Sequence, residues 1–174
     1  MKGIILAAGK GSRISNISDG LPKSFLKIGD KSILDYQIES LRKIDLKEIV
    51  IVTGYKSHFF EEKYGDCKDI MLIHNPYFSR CNVLGSVWFA LDYLSEGFFF
   101  LHADTYFDHD ILENLNQSNK DFSLSVELKD TVEEEMEVRI DNGRVVEINK
   151  EMDCSTAHGE FIGIAKIKKS IASE

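Results

Sequence analysis

Gly3-Ile4-Ile5-Leu6-Ala7-Ala8-Gly9-Lys10-Gly11-Ser12-Arg13 stands near the start of the chain, followed by Leu21-Pro22-Lys23-Ser24-Phe25-Leu26-Lys27. The apolar run reads as a strand over residues 3–7 buried on both faces, because it is continuous and does not alternate. It breaks into a glycine-rich, cationic loop. Such a loop turns backbone N–H groups and positive side chains toward one cavity, which is the equipment for holding a polyphosphate. The plainer alternative is a tight turn after a protected strand, with incidental surface cations.

Two common phosphate loops do not fit. A Walker loop needs four residues between its first glycine and Gly-Lys-Ser/Thr, whereas five separate Gly3 from Gly9 and Gly11 follows Lys10. The dinucleotide fingerprint needs a glycine where Ile14 stands. The strand at 48–52 also closes on Thr53-Gly54, with no acidic residue for a ribose.

Strand and helix signals alternate outward from this stretch. Ser32 and Asp35 resemble a capping box, ahead of an apolar stripe of Ile33, Leu34, Ile38, Leu41 and Ile44. Strands are expected over 48–52, 69–74, 98–101 and 122–128, and helices over 57–64, 83–94 and 110–117. In the 83–94 helix, Leu84, Val87, Trp88, Leu91 and Leu94 recur at helical spacing, so Trp88 reads as core. Residues 138–140 and 144–148 flank Asp141-Asn142-Gly143, an Asn-Gly hairpin signal, and a last strand is expected over 161–167. The expected fold is α/β: a Rossmann-like three-layer α/β/α sandwich with a mostly parallel, mixed sheet and a late antiparallel hairpin. Glu133-Glu134-Glu135 reads as a solvated loop.

The 174 residues suit one domain, residues 1–174, large enough to bury roughly 70% of its unfolded surface. A net charge of −8 argues against nucleic acid or an anionic membrane as the main partner, so the useful cations must be gathered locally. Cys67, Cys81 and Cys154 are scattered and odd in number, which suggests a reducing compartment and neither a disulfide framework nor a zinc site. The six-residue apolar run is too short for a signal peptide, and no stretch approaches a membrane span. A cytoplasmic protein is expected. Its oligomeric state is left open, a homo-oligomer included.

Gly9–Arg13, Thr53-Gly54-Tyr55 and His102-Ala103-Asp104 fall at the carboxyl ends of expected strands, where open α/β sheets bind ligands. Asp104, at the mouth of the strand Phe98-Phe99-Phe100-Leu101, suits a hard cation such as Mg²⁺ held together with nucleotide phosphates. Asp108, His109 and Asp110 match no metal-binding spacing. Asp108 or Asp110 reads as a helix cap, and His102 as a hydrogen-bonded neighbour.

Leu6-Ala7-Ala8-Gly9-Lys10-Gly11-Ser12-Arg13, with Lys23 ten residues after Arg13 in a Pro-Lys-x-x-Leu-x-Ile frame, closely resembles the opening signature of nucleotidyltransferases that make nucleoside-diphosphate sugars and CDP-alcohols. A second segment, Asn75-Pro76 through Asn82 and Ser86 to Trp88, looks like the phosphocholine and aminoalkyl-phosphonate cytidylyltransferase branch. The resemblance implies a Mg²⁺-dependent transfer of a nucleoside monophosphate, CMP from CTP first, to a small phosphomonoester such as phosphocholine. It makes Arg13 and Lys23 the catalytic cations and Asp104 the metal ligand. It makes Leu6, Ala8, Gly9, Gly11, Ser12, Asn82 and Ser86 nucleotide-binding. Glu160, in Gly159-Glu160-Phe161-Ile162-Gly163-Ile164, would border the acceptor pocket, and Lys10 is an open candidate for phosphate. Asn82 also suits a helix cap, and Trp88 would be an aromatic wall for choline only if it were not core.

The same opening motif implies two other readings: a sugar-1-phosphate nucleotidyltransferase using dTTP, GTP or UTP, or a catalytically weak nucleotide-binding module. Members of the family also carry a second metal-binding Asp late in the fold, and this sequence has no Asp after Asp153. The usual C-terminal part is expected to be lacking, or to come from a partner, and weak or absent turnover by this chain follows as an expectation.

Overall fold

Ile4 and Ile5 point to opposite faces of the first strand and both are fully buried, which requires packing layers on two sides. The computed structural model describes residues 1–11, 20–133 and 135–172. Its main sheet runs β5 (Ile70–His74), β4 (Ile49–Thr53), β1 (Lys2–Ala7), β6 (Phe98–His102), β10 (Gly159–Ile167). The first four are mutually parallel, with Ile5 opposite Ile51 and Leu101. β10 is antiparallel to β6. It also pairs antiparallel with β7 (Phe122–Glu127) and, through Gly159 and Glu160, with β8 (Glu137–Asp141), which forms a hairpin with β9 (Arg144–Asn149). The antiparallel part is therefore larger than a late hairpin. It takes in β7 and β10, which sequence periodicity could not orient. A two-residue pair, β2 (Lys27–Ile28) with β3 (Lys31–Ser32), lies apart.

One core lies between Ile5, Ile49, Ile51 and Leu101 and three helices: α1 (Ile33–Lys43), α2 (His58–Tyr64) and α4 (His109–Gln117). The other face buries Ile4, Val50 and Val52 against Ala90 and Leu94, which follow α3 (Val83–Trp88). Each fully buried aliphatic side chain contributes roughly 1.5–3 kcal/mol. The fold is thus a three-layer mixed α/β sandwich, as the sequence implied. Among the described residues, no helix is long and apolar enough to cross a membrane.

Most elements begin and end within two residues of expectation; the helix at 83–94 is the exception. Asn82 accepts a hydrogen bond from the Gly85 N–H and caps α3, which stops at Trp88; a 3₁₀ turn over Leu91–Tyr93 follows. Ala90, at φ −103° and ψ 1°, interrupts the helical path. Burial then falls on Val87, Ala90 and Leu94, while Leu84, Trp88 and Leu91 face outward. Trp88 is 67% exposed, packed edge-on against Phe89, so its reading as core is corrected. Asn142 and Gly143 both take positive φ, the requirement of the type I′ turn that the Asn-Gly pair signalled.

Polar contacts tie helices to sheet. Lys166, buried in β10, donates to the carbonyls of Asn116 and Ser118 at the C-terminal end of α4. The Ser32–Asp35 capping box of α1 is complete. Asp35 also accepts from Lys63 at 2.5 Å and Tyr64 at 2.8 Å, locking α1 to α2. Burial by itself would raise the Asp35 carboxyl, but the bonds from Lys63, Ser32 and Tyr64 outweigh it and hold the group at about 2, against an ordinary 3.8. A carboxyl depressed on folding adds stability above its unfolded value and loses it as pH falls through the folded one. Asp35→Asn is therefore expected to cost about 1–2 kcal/mol at neutral pH, after allowing for solvent screening. Thermal melts across pH check this: the deficit should shrink between about pH 4 and pH 2.

Candidate active site

The strand order reverses at β1. β4 and β5 lie to one side of it and β6 to the other, so a crevice opens beyond the carboxyl ends of β1 and β6. Two backbone bonds hold its floor together: Ala103 N–H donates to Leu6 at 3.2 Å and Tyr55 N–H to Ala8 at 3.0 Å. A cavity of about 490 Å³ fills the crevice.

Of the residues expected in the site, the structure brings Leu6, Ala8, Gly9, Gly11, Lys23, Asn82, Ser86 and Asp104 to this one cavity. They come from four separated stretches of chain. Arg13 and Ser12 lie outside the described residues. Glu160 is not among the lining residues. Its carboxylate pairs with Lys129 at 2.8 Å, in a group with Glu127 and Glu135 that surrounds the same ammonium. The hydrogen bonds to Glu135 and Glu160 push the Lys129 ammonium above its ordinary range. Lys10 is exposed, with its ammonium 5.9 Å from the centre of the Phe78 ring, and it too is outside the lining.

Lys23 owes its place to a glycine. Gly11 has φ +62°, and a Cβ there would stand 2.4 Å from Lys23 Cγ. The lysine stem therefore lies directly across the loop backbone, and its Nζ comes 3.5 Å from Asp104 Oδ2. That is long for a strong hydrogen bond, and the Asp104 side chain is 51% exposed, so both groups remain open to a ligand. Ser24, beside Lys23, lines the cavity with a buried hydroxyl that has no partner among the described residues. Asn82 keeps its capping bond while lining the cavity, so the two roles read from the sequence coexist. Ser86 is more committed: its hydroxyl accepts from the fully buried Asn75 amide at 3.1 Å.

Sequence reasoning missed Lys150 and misread His102. Lys150 follows β9 and reaches the cavity only because β8–β9 folds back against β10, a non-local pairing without a local signal. His102 has no side-chain hydrogen bond among the described residues. It lines the cavity, packed edge-on against Phe100 and Phe161, with Gly163 leaving room for the ring. Burial lowers the imidazole below its ordinary value, with Asp104 opposing and Lys150 reinforcing the shift. The charged side chains among the described lining residues are then Lys23, Lys150 and Asp104, a local positive excess in a chain of net charge −8.

The donor set can hold a hard cation only in part. Among the described residues no group of three or more His, Cys, Asp or Glu side chains could hold a metal ion. Asp104 offers a single carboxylate, which suits Mg²⁺ whose other ligands are phosphate oxygens and water. What the cavity can do chemically is receive a polyanion against backbone N–H groups and two ammonium groups, with one carboxylate left for a cation.

Known proteins resemble this chain in sequence and fold. Residues 3–126 match the MobA-like NTP transferase domain. The chain is 31% identical over 117 residues to the choline-phosphate cytidylyltransferase of Streptococcus pneumoniae, covering 66% of this chain and 49% of that one. It is 32% identical over 151 residues to the enzyme of the same name from Haemophilus influenzae, covering 86% and 62%. The solved inositol-1-phosphate CTP transferase of T. maritima superposes with a TM-score of 0.82 at 23% identity, over 99% of this chain and 72% of that one. Proteins named as a guanylyltransferase and a uridylyltransferase of sugar 1-phosphates also match. The chain thus spans about half to three fifths of the length of the two choline-phosphate cytidylyltransferases. With the family match covering most of the parallel half of the sheet and the loops around the cavity, the chain belongs to the MobA-like NTP transferase domain family.

Proposed function

We propose that this chain binds CTP with Mg²⁺ and transfers CMP to a small phosphomonoester such as phosphocholine, releasing pyrophosphate. The observation that carries the reading is the convergence of Gly9, Gly11, Lys23 and Asp104 on one cavity at the point where strand order reverses. An acceptor phosphate oxygen attacks the α-phosphorus, a new P–O bond forms, and the bond to the β-phosphate bridging oxygen breaks. The acceptor is already an anion near neutral pH, so no general base is needed. Lys23 and Lys150 stabilise negative charge on the phosphoryl oxygens where it develops, with Arg13 and Ser12 assigned to the same phosphates. Asp104 would hold Mg²⁺, which when bound would supply positive charge for the leaving pyrophosphate.

Asn82 and Ser86, at the start of α3, are assigned to the nucleobase side; both line the cavity. Glu160 is assigned to the acceptor's surroundings. With Glu127 and Glu135 it gives an acidic excess around Lys129, a setting that favours a cationic head group. Free Cys67, Cys81 and Cys154 support a cytoplasmic setting.

A second reading keeps the chemistry but takes dTTP, GTP or UTP with a sugar 1-phosphate; the guanylyl- and uridylyltransferase relatives favour it. Calorimetric titration with CTP, GTP, UTP, dTTP and NAD, each with Mg²⁺, separates the two. CTP is expected to bind at least about tenfold more tightly than the rest, a difference of about 1.4 kcal/mol. Preference for GTP, UTP or dTTP would move the assignment to the sugar-phosphate reading. Preference for NAD would remove both.

A further inference from the structure

Among the described residues, the Asp104 carboxylate makes no side-chain hydrogen bond and has one ion-pair approach, the 3.5 Å approach of Lys23. Its carboxylate is therefore placed by its backbone, and the backbone of residues 102–105 is held from three directions. Ala103 N–H donates to Leu6 of β1, and Thr105 N–H closes a turn onto the His102 carbonyl at 3.3 Å. From α1 comes Gln37, only 1% exposed, whose Nε2 donates to the His102 carbonyl at 2.8 Å and to the Thr105 carbonyl at 2.7 Å. One amide thus bridges the residues on either side of Ala103-Asp104. From the opposite side, Thr105 Oγ1 donates to the Ile162 carbonyl of β10 at 3.1 Å.

Gln37 sits among apolar neighbours on the buried face of α1, between Ile33 and Leu41. Its Oε1 is buried with no hydrogen-bond partner among the described residues. An apolar side chain of the same length would fill the space without that orphaned acceptor, so packing alone does not account for an amide here. Both of its N–H groups are spent on one loop.

We propose that Gln37, with Thr105 opposite, is the positioning residue for Asp104, fixing the backbone turn from which the carboxylate meets the nucleotide-bound cation. This rests on the reading of Asp104 given above. Gln37 touches neither substrate nor metal. It acts through the turn that carries the carboxylate, as the one side chain that bonds to both ends of it among the described residues.

The test compares the full chain with Gln37→Met, which keeps length and removes the donors, and with Ile38→Val, a neighbouring core change that lowers stability without touching the turn. Amide hydrogen exchange is read first. Gln37→Met should speed exchange at Ala103 and Thr105 about tenfold while Ile51 in β4 stays protected, and Ile38→Val should leave Ala103 and Thr105 unchanged. Calorimetry with CTP is read second. The Mg²⁺ concentration needed for half of the full gain in CTP affinity should rise about tenfold in Gln37→Met, with metal-free CTP affinity unchanged. Unaltered exchange at both amides, an unaltered Mg²⁺ response, or the same changes in Ile38→Val would overturn the proposal. If the unmodified chain binds no CTP, the functional reading fails by itself and the exchange experiment alone decides the role of Gln37. Should Gln37→Met not fold, Thr105→Val gives the same two readouts, and no change in them overturns the proposal.

Discussion

Lys23→Ala is expected to weaken CTP binding by about ten- to a hundredfold while leaving cytidine binding unchanged. The span is that of one or two charge-assisted hydrogen bonds, about 1.5–3 kcal/mol. The discrimination matters more than the size. Lys23 reaches the cavity beside the glycine loop, whereas Asn82 and Ser86 approach from α3, so loss of the ammonium should be felt by phosphates and not by the base. Turnover, where it is measurable, should fall further, by about 10²–10³, since charge on the phosphoryl oxygens is greatest in the transition state. Gly11→Ala should act in the same direction without removing any charge. Its methyl would stand 2.4 Å from Lys23 Cγ, on a backbone at φ +62°. The lysine stem has to leave its groove, and an L-residue is strained at that φ. Paired titrations of CTP and cytidine check both variants, and equal losses for the two ligands would contradict a phosphate role for Lys23.

Asp104→Asn is expected to abolish most of the Mg²⁺ response. In the unmodified chain, Mg²⁺ should strengthen CTP binding by tenfold or more, because Asp104 supplies the protein carboxylate facing the phosphate site. In the variant that gain should be lost. The sign reverses without metal: a carboxylate beside a triphosphate repels it, so Asp104→Asn should bind metal-free CTP as well as or better than the unmodified chain. Removing the carboxylate also frees Lys23, now 3.5 Å from it, for the phosphates alone. Titrations with Mg²⁺ and with EDTA separate these effects. An unchanged metal response would remove Asp104 from the site.

The parallel half of the fold could be read from local pattern because its strands are buried on both faces and its helices begin at recognisable caps. Ile4-Ile5, Val50-Ile51 and the Ser32–Asp35 box are such cases. The antiparallel half was harder. β10 pairs β7, β6 and β8 together, and nothing in a single strand's sequence reports how many neighbours it has. Trp88 shows the limit of periodicity. Two interleaved apolar stripes run through residues 83–94, and the break after α3 sends Val87, Ala90 and Leu94 inward and Leu84, Trp88 and Leu91 outward.

Within the site, the loop residues and Asp104 were visible because each stands at the end of an apolar run. Lys150 was hidden because a solitary lysine after an amphipathic hairpin resembles any surface lysine. Gln37 did leave a trace: a polar residue on the apolar face of α1, in the stripe of Ile33, Leu34, Ile38 and Leu41. Its partners, two backbone carbonyls more than sixty residues away, lie outside any local pattern.

The central claim is that Lys23 and Asp104 face one triphosphate across the cavity at the end of β1. A crystal structure of the chain with CTP and Mg²⁺ tests it most directly. The account predicts phosphate oxygens at about 2.7–2.9 Å from Lys23 Nζ and the metal at about 2.0–2.1 Å from an Asp104 carboxylate oxygen, with the cytosine toward Asn82. A nucleotide bound elsewhere, or bound in this cavity with its phosphates turned away from Lys23 and Asp104, would contradict it.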